Sequence, residues 1–160
     1  MNRSIQFPAA PPRKFSAAAS ARRPFIPVGS IGQLRRFEPA RESMAAFLRR
    51  SSPERVAFDS CRDGLCALRV TPAFVRHGIG LPAGSLIFLD SLHDCDPGGL
   101  TLLALCDGRI LLRKFLPRSD GIYFGSVLNA GGEDFIWRPA SDSGHLLWLY
   151  PILEFILPMF

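Results

Sequence analysis

The hydroxyl groups of residues 66 to 115 include those of Thr71, Ser85 and Ser91, and the same stretch of chain contains the amine of Lys114. A hydroxyl and an amine can form a Ser–Lys dyad, in which a neutral lysine takes the proton of the nucleophile. Burial can lower the pKa of a lysine far enough to supply that neutral amine. The chemistry open to these residues is therefore acyl transfer, provided that the fold brings a hydroxyl and the amine together.

Short motifs occur in a recognisable order along this stretch. They are Leu68-Arg69-Val70, then Ala83-Gly84-Ser85, then Gly99, Leu102, Leu103, Ala104 and Asp107, then Ile110-Leu111-Leu112. The order resembles the C-terminal domain of the LexA family of self-cleaving repressors, which includes UmuD and the lambda-type phage repressors. The resemblance is densest between residues 66 and 115 and extends in outline over residues 24 to 150. It implies a LexA-like β-fold for that region.

The resemblance also implies where a catalytic dyad would stand, and neither position carries a catalytic residue. The serine position falls on Phe74 when counted from Leu68-Arg69-Val70, and on Val75 when counted back from Ala83-Gly84-Ser85. The lysine position falls on Arg113, which stays protonated in proteins and cannot serve as a base. Lys114 is adjacent, but consecutive side chains of a strand point to opposite faces. The expectation is a pseudo-peptidase without catalytic residues.

Glycines near residue 30 resemble the cleavage region of the same family. On that interpretation Val28-Gly29 or Ile31-Gly32 lies near the scissile position, although neither pair is Ala-Gly or Cys-Gly. The alternative is a loop or edge strand punctuated by proline and glycine. The sequence leaves both interpretations open.

The charge of the chain is divided unevenly. Residues 1 to 50 carry a net charge of +8 and residues 51 to 160 a net charge of −3, which together give +5. Residues 1 to 23 contain no acidic residue and are rich in Pro, Ala, Ser and Arg, which predicts a disordered basic arm. Such an arm can contact nucleic-acid phosphates weakly and without specificity. The candidate residues are Arg13, Lys14, Arg22 and Arg23.

Cysteine and histidine spacing does not predict a metal site. The four cysteines, Cys61, Cys66, Cys95 and Cys106, form no CxxC pair, and without a secretory signal they read as reduced thiols of a cytoplasmic protein. His93-Asp94-Cys95-Asp96 lacks the second paired set that structural zinc needs. We therefore predict no metal and no cofactor.

Apolar runs separated by turn residues predict a mostly β fold from Arg55 onward. Asp107-Gly108 and similar turns between such runs are typical of hairpins. About seven short antiparallel strands at this spacing predict a meander or a partly closed barrel. One short helix is predicted over residues 38 to 50, with Met44, Phe47 and Leu48 as its apolar stripe.

The chain ends in an apolar tail, residues 151 to 160, which is too short to span a membrane. Pro151 and Pro158 suit an edge strand better than a central one. The tail either covers the core of its own domain or contacts a partner, because an apolar surface of this size is unfavourable in water. The candidate contact residues are Trp148, Tyr150, Ile152, Leu153, Phe155, Ile156 and Phe160.

These features favour one functional hypothesis and leave two alternatives. The first is a catalytically inactive, phage- or mobile-element-encoded regulator that modulates transcription by binding a LexA-like or phage-type repressor, or a second copy of itself. The second is a divergent self-cleaving serine peptidase with a displaced nucleophile, chosen from Thr71, Ser85 and Ser91. The third is a nucleic-acid-associated protein that acts through its basic arm.

Overall fold

The computed structural model describes residues 23–60, 62–75, 79–127, 135–142 and 144–159. In this part of the chain, nine strands form one mixed sheet and four short helices accompany it. The strands are β1 Phe25–Ser30, β2 Arg55–Ala57, β3 Leu65–Arg69, β4 Leu86–Asp90, β5 Leu100–Leu105, β6 Ile110–Arg118, β7 Gly121–Gly125, β8 Phe135–Trp137 and β9 Leu146–Ile156. The helices are α1 Ile31–Leu34, α2 Met44–Ser51, α3 Pro72–Val75 and α4 Pro139–Asp142. The prediction of a mostly β fold is confirmed.

The strands are ordered β2-β1-β3-β4-β9-β5-β6-β7-β8 across the sheet. β1 and β3 run parallel, whereas all other neighbouring strands of the described sheet run antiparallel. β2 and β8 form its two edges, so the sheet stays open. The β5–β6 hairpin turns at Asp107-Gly108, where Gly108 has a positive φ of 89°. This is the turn that the Asp-Gly pair predicts.

The longest strand, β9, occupies the centre of the sheet. Its first half pairs with β5 and its second half with β4. The expectation that Pro151 lies on an edge is wrong, because Pro151 pairs with Thr101 of β5. The pairing with β5 ends at Pro151 and the pairing with β4 begins at Ile152, opposite Leu89. The missing N–H of the proline therefore falls where the strand changes partners, and the ladder tolerates it there.

The predicted helix exists, but it is shorter than the sequence indicated. Residues 38 to 41 form a turn, in which the Arg41 N–H donates to the Glu38 carbonyl at 3.0 Å. α2 begins at Met44 because Ser43 caps it, accepting the Ala46 N–H on its side-chain oxygen at 3.2 Å. The apolar stripe is confirmed, since its three residues are buried: Met44, Phe47 and Leu48.

The sheet buries apolar side chains on both faces. One face, here called the helix face, carries the largest cluster and packs against α2 and against Phe74 of α3. Its strand residues are Cys66, Leu68, Ile87, Leu89, Leu102, Ala104, Ile110, Leu112 and Trp148. The opposite face carries two smaller clusters, one on β1, β3 and β4 and one on β5, β6 and β7. Because side chains alternate along a strand, these clusters assign each residue of the inner strands to a face.

Candidate functional site

The position that the resemblance gives to the nucleophile is occupied by a core aromatic residue. Phe74 lies in α3, is fully buried and packs into the cluster on the helix face. The backbone N–H groups of Phe74 and Val75 donate to the Thr71 carbonyl at 2.9 and 3.1 Å, which forms this single helical turn. Val75 is partly exposed and belongs to no buried cluster of the described residues. Neither side chain can attack a carbonyl.

The position given to the base lies on the other side of the sheet. Arg113 is buried in β6 between Leu112, on the helix face, and Lys114. Alternation places the Arg113 side chain on the opposite face, with Leu111 and Phe115. Its Nη1 donates to the Leu112 carbonyl at 2.8 Å. The fold therefore does not bring Phe74 and Arg113 together.

Lys114 lies on the helix face, like Phe74, but its side chain is exposed. Two of the hydroxyls that could replace the missing nucleophile, those of Ser85 and Ser91, flank β4, which β9 and β5 separate from β6, and Thr71 follows β3, one strand further away. Three strand spacings correspond to about 14 Å along the sheet. Ser91 donates to the Gly64 carbonyl at 2.9 Å, and Ser85 donates to the Pro82 carbonyl at 2.7 Å. Both hydroxyls are thus used in local structural hydrogen bonds, at a distance from the lysine.

The region that resembles a cleavage site forms an inner strand and the turn of helix after it. Val28 pairs with Ala67 of β3, and Gly29 pairs with Leu68. The Val28 N–H also donates to the Glu54 carbonyl at 3.1 Å. Residues 25 to 30 are therefore neither a loop nor an edge strand. Ile31 and Gly32 follow in α1, so the four candidate residues lie on β1 and α1, far from β6 in the strand order.

The candidate contact residues at the C-terminus divide into two groups. Four pack onto the cluster of the helix face: Trp148, Tyr150, Ile152 and Phe155. The rings of Trp148 and Tyr150 stack with their centroids 5.4 Å apart, and burial raises the pKa of Tyr150 to about 12. Leu153 and Ile156 remain exposed, whereas Phe160 lies outside the described residues.

Leu153 and Ile156 continue into a larger exposed surface. We define the C-terminal apolar strip as Leu153, Ile156, Leu157 and Met159, whose exposed fractions are 41%, 44%, 55% and 100%. The register of β4 and β9 shifts between Phe88 and Leu89, which turns Leu153 outward. The apolar character of the strip is visible in the sequence, but the bulge that exposes it is not.

A buried carboxylate at the end of β4 was missed by sequence reasoning. Asp90 is 1% exposed and accepts the Leu92 N–H at 3.1 Å. Its Oδ2 lies 3.0 Å from Nδ1 of His93 and 3.3 Å from Nη1 of Arg62. A Cβ at Gly64 would come within 2.2 Å of Asp90 Oδ1, so this carboxylate requires a glycine opposite it. The cluster anchors the loop after β4, and the only signal in the sequence is an aspartate that ends an apolar run.

The Cys66 thiol, which senses the charge of this carboxylate, is not a nucleophile. Cys66 is fully buried on the helix face. Burial, reinforced by the negative charge of Asp90, raises the pKa of Cys66 to about 12. Because the thiolate is the reactive form, a thiol with this pKa stays inert near neutral pH. Cys66 therefore acts as a core side chain.

A second feature missed by sequence reasoning is a cavity of about 590 Å³ beside the first two helices, here called the α1–α2 pocket. Its lining residues are Ser30, Gly32, Gln33, Arg36, Glu38, Arg41, Glu42, Phe47, Arg50 and Ser51. Arg41 pairs with Glu38 at 2.7 Å, and Arg50 pairs with Glu42. The sequence predicts one helix over residues 38 to 50, whereas residues 38 to 41 form a turn, and Glu38, Arg41 and Glu42 before α2 line the pocket.

Of the four basic residues predicted to contact nucleic acid, one lies within the described part of the chain. Arg23 is exposed and pairs with Asp59 at 3.1 Å, whereas Arg13, Lys14 and Arg22 lie outside the described residues. Within the described ranges, no three His, Cys, Asp or Glu side chains are grouped as metal ligands would be. In the same ranges, every helix is too short or too polar to cross a bilayer.

The chain matches no protein-family model, and no curated protein resembles it at a significant level. The LexA-like family therefore remains a hypothesis drawn from the motifs of the chain itself.

Proposed function

We propose that this protein is a catalytically inactive regulator that binds a self-cleaving repressor of the LexA type in the cytoplasm and thereby modulates transcription. The C-terminal apolar strip is the proposed contact surface. Phage or mobile-element origin belongs to the same hypothesis, since such elements interfere with host repressors. The observation that carries the proposal is the exposure of four large apolar side chains on and after a central strand.

Two features support binding over catalysis. Phe74 and Arg113, at positions that the resemblance gives to the dyad, are both buried and lie on opposite faces of the sheet. Val28 and Gly29, at the proposed relic of a cleavage site, are held by backbone pairing to β3. Cleavage there would require β1 to leave the sheet.

The position of the strip supports a protein partner. Ile156 lies opposite Leu86 in the pairing of β9 with β4, and Leu153 lies between the paired residues Ile152 and Glu154. The part of the strip that lies on β9 is held by the sheet, so it loses little conformational entropy when a partner binds it, and its burial contributes to affinity. Exposed apolar patches of this kind mark protein interfaces more often than isolated surface leucines do.

Titration of a labelled LexA-type repressor with the full-length protein, followed by fluorescence anisotropy, tests the proposal. We expect micromolar or tighter binding, weakened about tenfold or more by the double substitution Leu153→Ser and Ile156→Ser, because two buried apolar side chains are lost. Leu92→Ser is the matched control, since Leu92 is 62% exposed but lies beyond the opposite end of β4. Its binding should equal that of the unchanged protein.

Two results would count against the proposal. Failure to bind several LexA-type repressors at micromolar concentration would remove its basis. A dimer of the chain alone that dissociates on the same double substitution, observed by analytical ultracentrifugation, would assign the strip to self-association. Intact-mass measurement after incubation at alkaline pH distinguishes both binding functions from a peptidase. A peptidase would yield a fragment cut near residue 30, and this fragment would be absent in Lys114→Ala.

A further inference from the structure

The α1–α2 pocket has walls of two chemical kinds. Arg36, Arg41 and Arg50 supply three guanidinium groups, from the turn after α1, the turn before α2 and the end of α2. The wall near β1 is small and polar, formed by Ser30 and Gln33, and Ser51 lies at the end of α2. A volume of about 590 Å³ lies within the range of small-molecule sites, and it greatly exceeds the size of a single phosphate.

The guanidinium groups retain donors for a ligand. Arg41 and Arg50 are each oriented by a glutamate, and an arginine has five N–H donors, of which one carboxylate uses two at most. Arg36 is exposed and makes no ion pair within the described part of the chain. The guanidinium group of Arg36 is therefore available to a ligand in the pocket. The residues that line the pocket carry a formal net charge of +1.

The polar wall offers complementary groups. Gln33 Oε1 accepts the Ser30 N–H at 2.8 Å, which fixes the side chain and leaves its amide N–H₂ free to donate. Ser51 Oγ donates to the Phe47 carbonyl at 2.8 Å, which leaves its oxygen lone pairs free to accept. Arg50 lies over the Phe47 ring at 5.7 Å from its centroid, which further fixes the guanidinium.

We propose that the α1–α2 pocket binds a small phosphorylated polar molecule. The phosphate is bound by the Arg36 and Arg50 guanidinium groups, whose planar forks match phosphate oxygens. The polar body of the ligand contacts Gln33 and Ser51. This site is distinct from the C-terminal apolar strip and does not depend on the proposed repressor binding.

Isothermal titration calorimetry of the full-length protein at low ionic strength tests the site with three probes: inorganic phosphate, glucose 6-phosphate and AMP. We expect a phosphate ester to bind more tightly than inorganic phosphate, and glucose or adenosine not to bind. Arg36→Ala should weaken ester binding about tenfold or more, because it removes the unpaired fork. Arg36 is exposed, so an unchanged melting curve of the variant would show that the fold is intact.

Arg35→Ala is the matched control, because Arg35 is adjacent, exposed and of equal charge but does not line the pocket. It should leave ester binding within about twofold. An equal loss in Arg35→Ala and Arg36→Ala would show a non-specific response to charge and overturn the proposal. Absence of binding by all three phosphate probes would overturn it as well, as would equal binding of glucose and glucose 6-phosphate.

Discussion

At Gly29 of β1, α2 packs directly against the backbone of the sheet. A Cβ built on Gly29 would lie 2.3 Å from Leu48 Cδ2 and 3.1 Å from Gln33 Oε1. Leu48 is fully buried in the cluster of the helix face, so it has little room to move. The glycine in the region that resembles a cleavage site therefore has a packing role. The absence of a side chain lets α2 cover β1 and β3.

We expect Gly29→Ala to destabilise the protein by about 1–3 kcal/mol, the usual cost of overfilling a packed core. Urea denaturation measures the effect. Gly32→Ala is the control, because the added Cβ would approach only Ser30 Oγ, at an ordinary contact distance of 3.8 Å. In a helix such a change is neutral or stabilises by up to about 1 kcal/mol. Equal urea-denaturation midpoints for the two variants would show that α2 does not pack tightly against Gly29.

At the level of single residues, the sequence indicates which side-chain chemistry is present at each candidate position, but it does not predict what surrounds that side chain in the fold. The sequence alone shows that position 74 carries no hydroxyl and that position 113 carries no lysine amine. Alternation also predicts that Arg113 and Lys114 point to opposite faces. Which face carries Phe74, however, depends on how α3 folds back onto the sheet. The burial of Asp90 beside His93 likewise depends on contacts that no local pattern encodes.

At the level of elements, β9 joins two halves of the sheet that would otherwise be separate. β1 to β4 lie on one side of it and β5 to β8 on the other. Hairpins such as β5–β6 could be predicted because their turn residues are adjacent in the chain. The place of β9 could not, because it pairs with strands that are distant in sequence. Two prolines near the C-terminus pointed to an edge, whereas the change of partners at Pro151 makes a central position possible.

We expect a chain that stops after Tyr150 to lose cooperative folding. The deletion removes the pairing of β9 with β4, including Ile87 opposite Phe155, and uncovers the helix face where Ile152 and Phe155 pack. Full burial of one such side chain contributes about 1.5–3 kcal/mol; Ile152 and Phe155 are partly buried and contribute less, but the deletion also removes the strand pairing and uncovers the core beneath it. Thermal unfolding followed by circular dichroism measures the loss.

The control for this truncation is a chain that stops after Ile156. It keeps all of β9 and removes only residues 157 to 160, so it should melt cooperatively within a few degrees of the full-length protein. If the chain that stops after Tyr150 also melted cooperatively near the same temperature, the second half of β9 would not be needed for the fold. The predicted division at residue 150 falls in the middle of this strand.

At the level of the whole molecule, positive charge is concentrated at one end of the chain and continues onto the fold. Within the described residues, six arginines lie between β1 and β2 or at the start of β2: Arg35, Arg36, Arg41, Arg49, Arg50 and Arg55. Only three glutamates accompany them: Glu38, Glu42 and Glu54. The basic character predicted for the arm therefore extends to the surface around the α1–α2 pocket. The basic arm and the arginines around the α1–α2 pocket can both attract anions, and deleting the arm separates their contributions.

Deleting residues 1 to 22 removes three arginines and one lysine and lowers the formal net charge from +5 to +1. If the arm contacts DNA phosphates, binding of a labelled short duplex should weaken, and the slope of log K against log salt should become shallower by up to about 3.6, since each phosphate contact contributes about 0.9. Fluorescence anisotropy over a range of salt concentrations measures both quantities. An unchanged slope would place the phosphate contacts on the arginines of the folded body. In that case, weaker DNA binding by Arg36→Ala but not by Arg35→Ala would locate the contacts at the α1–α2 pocket.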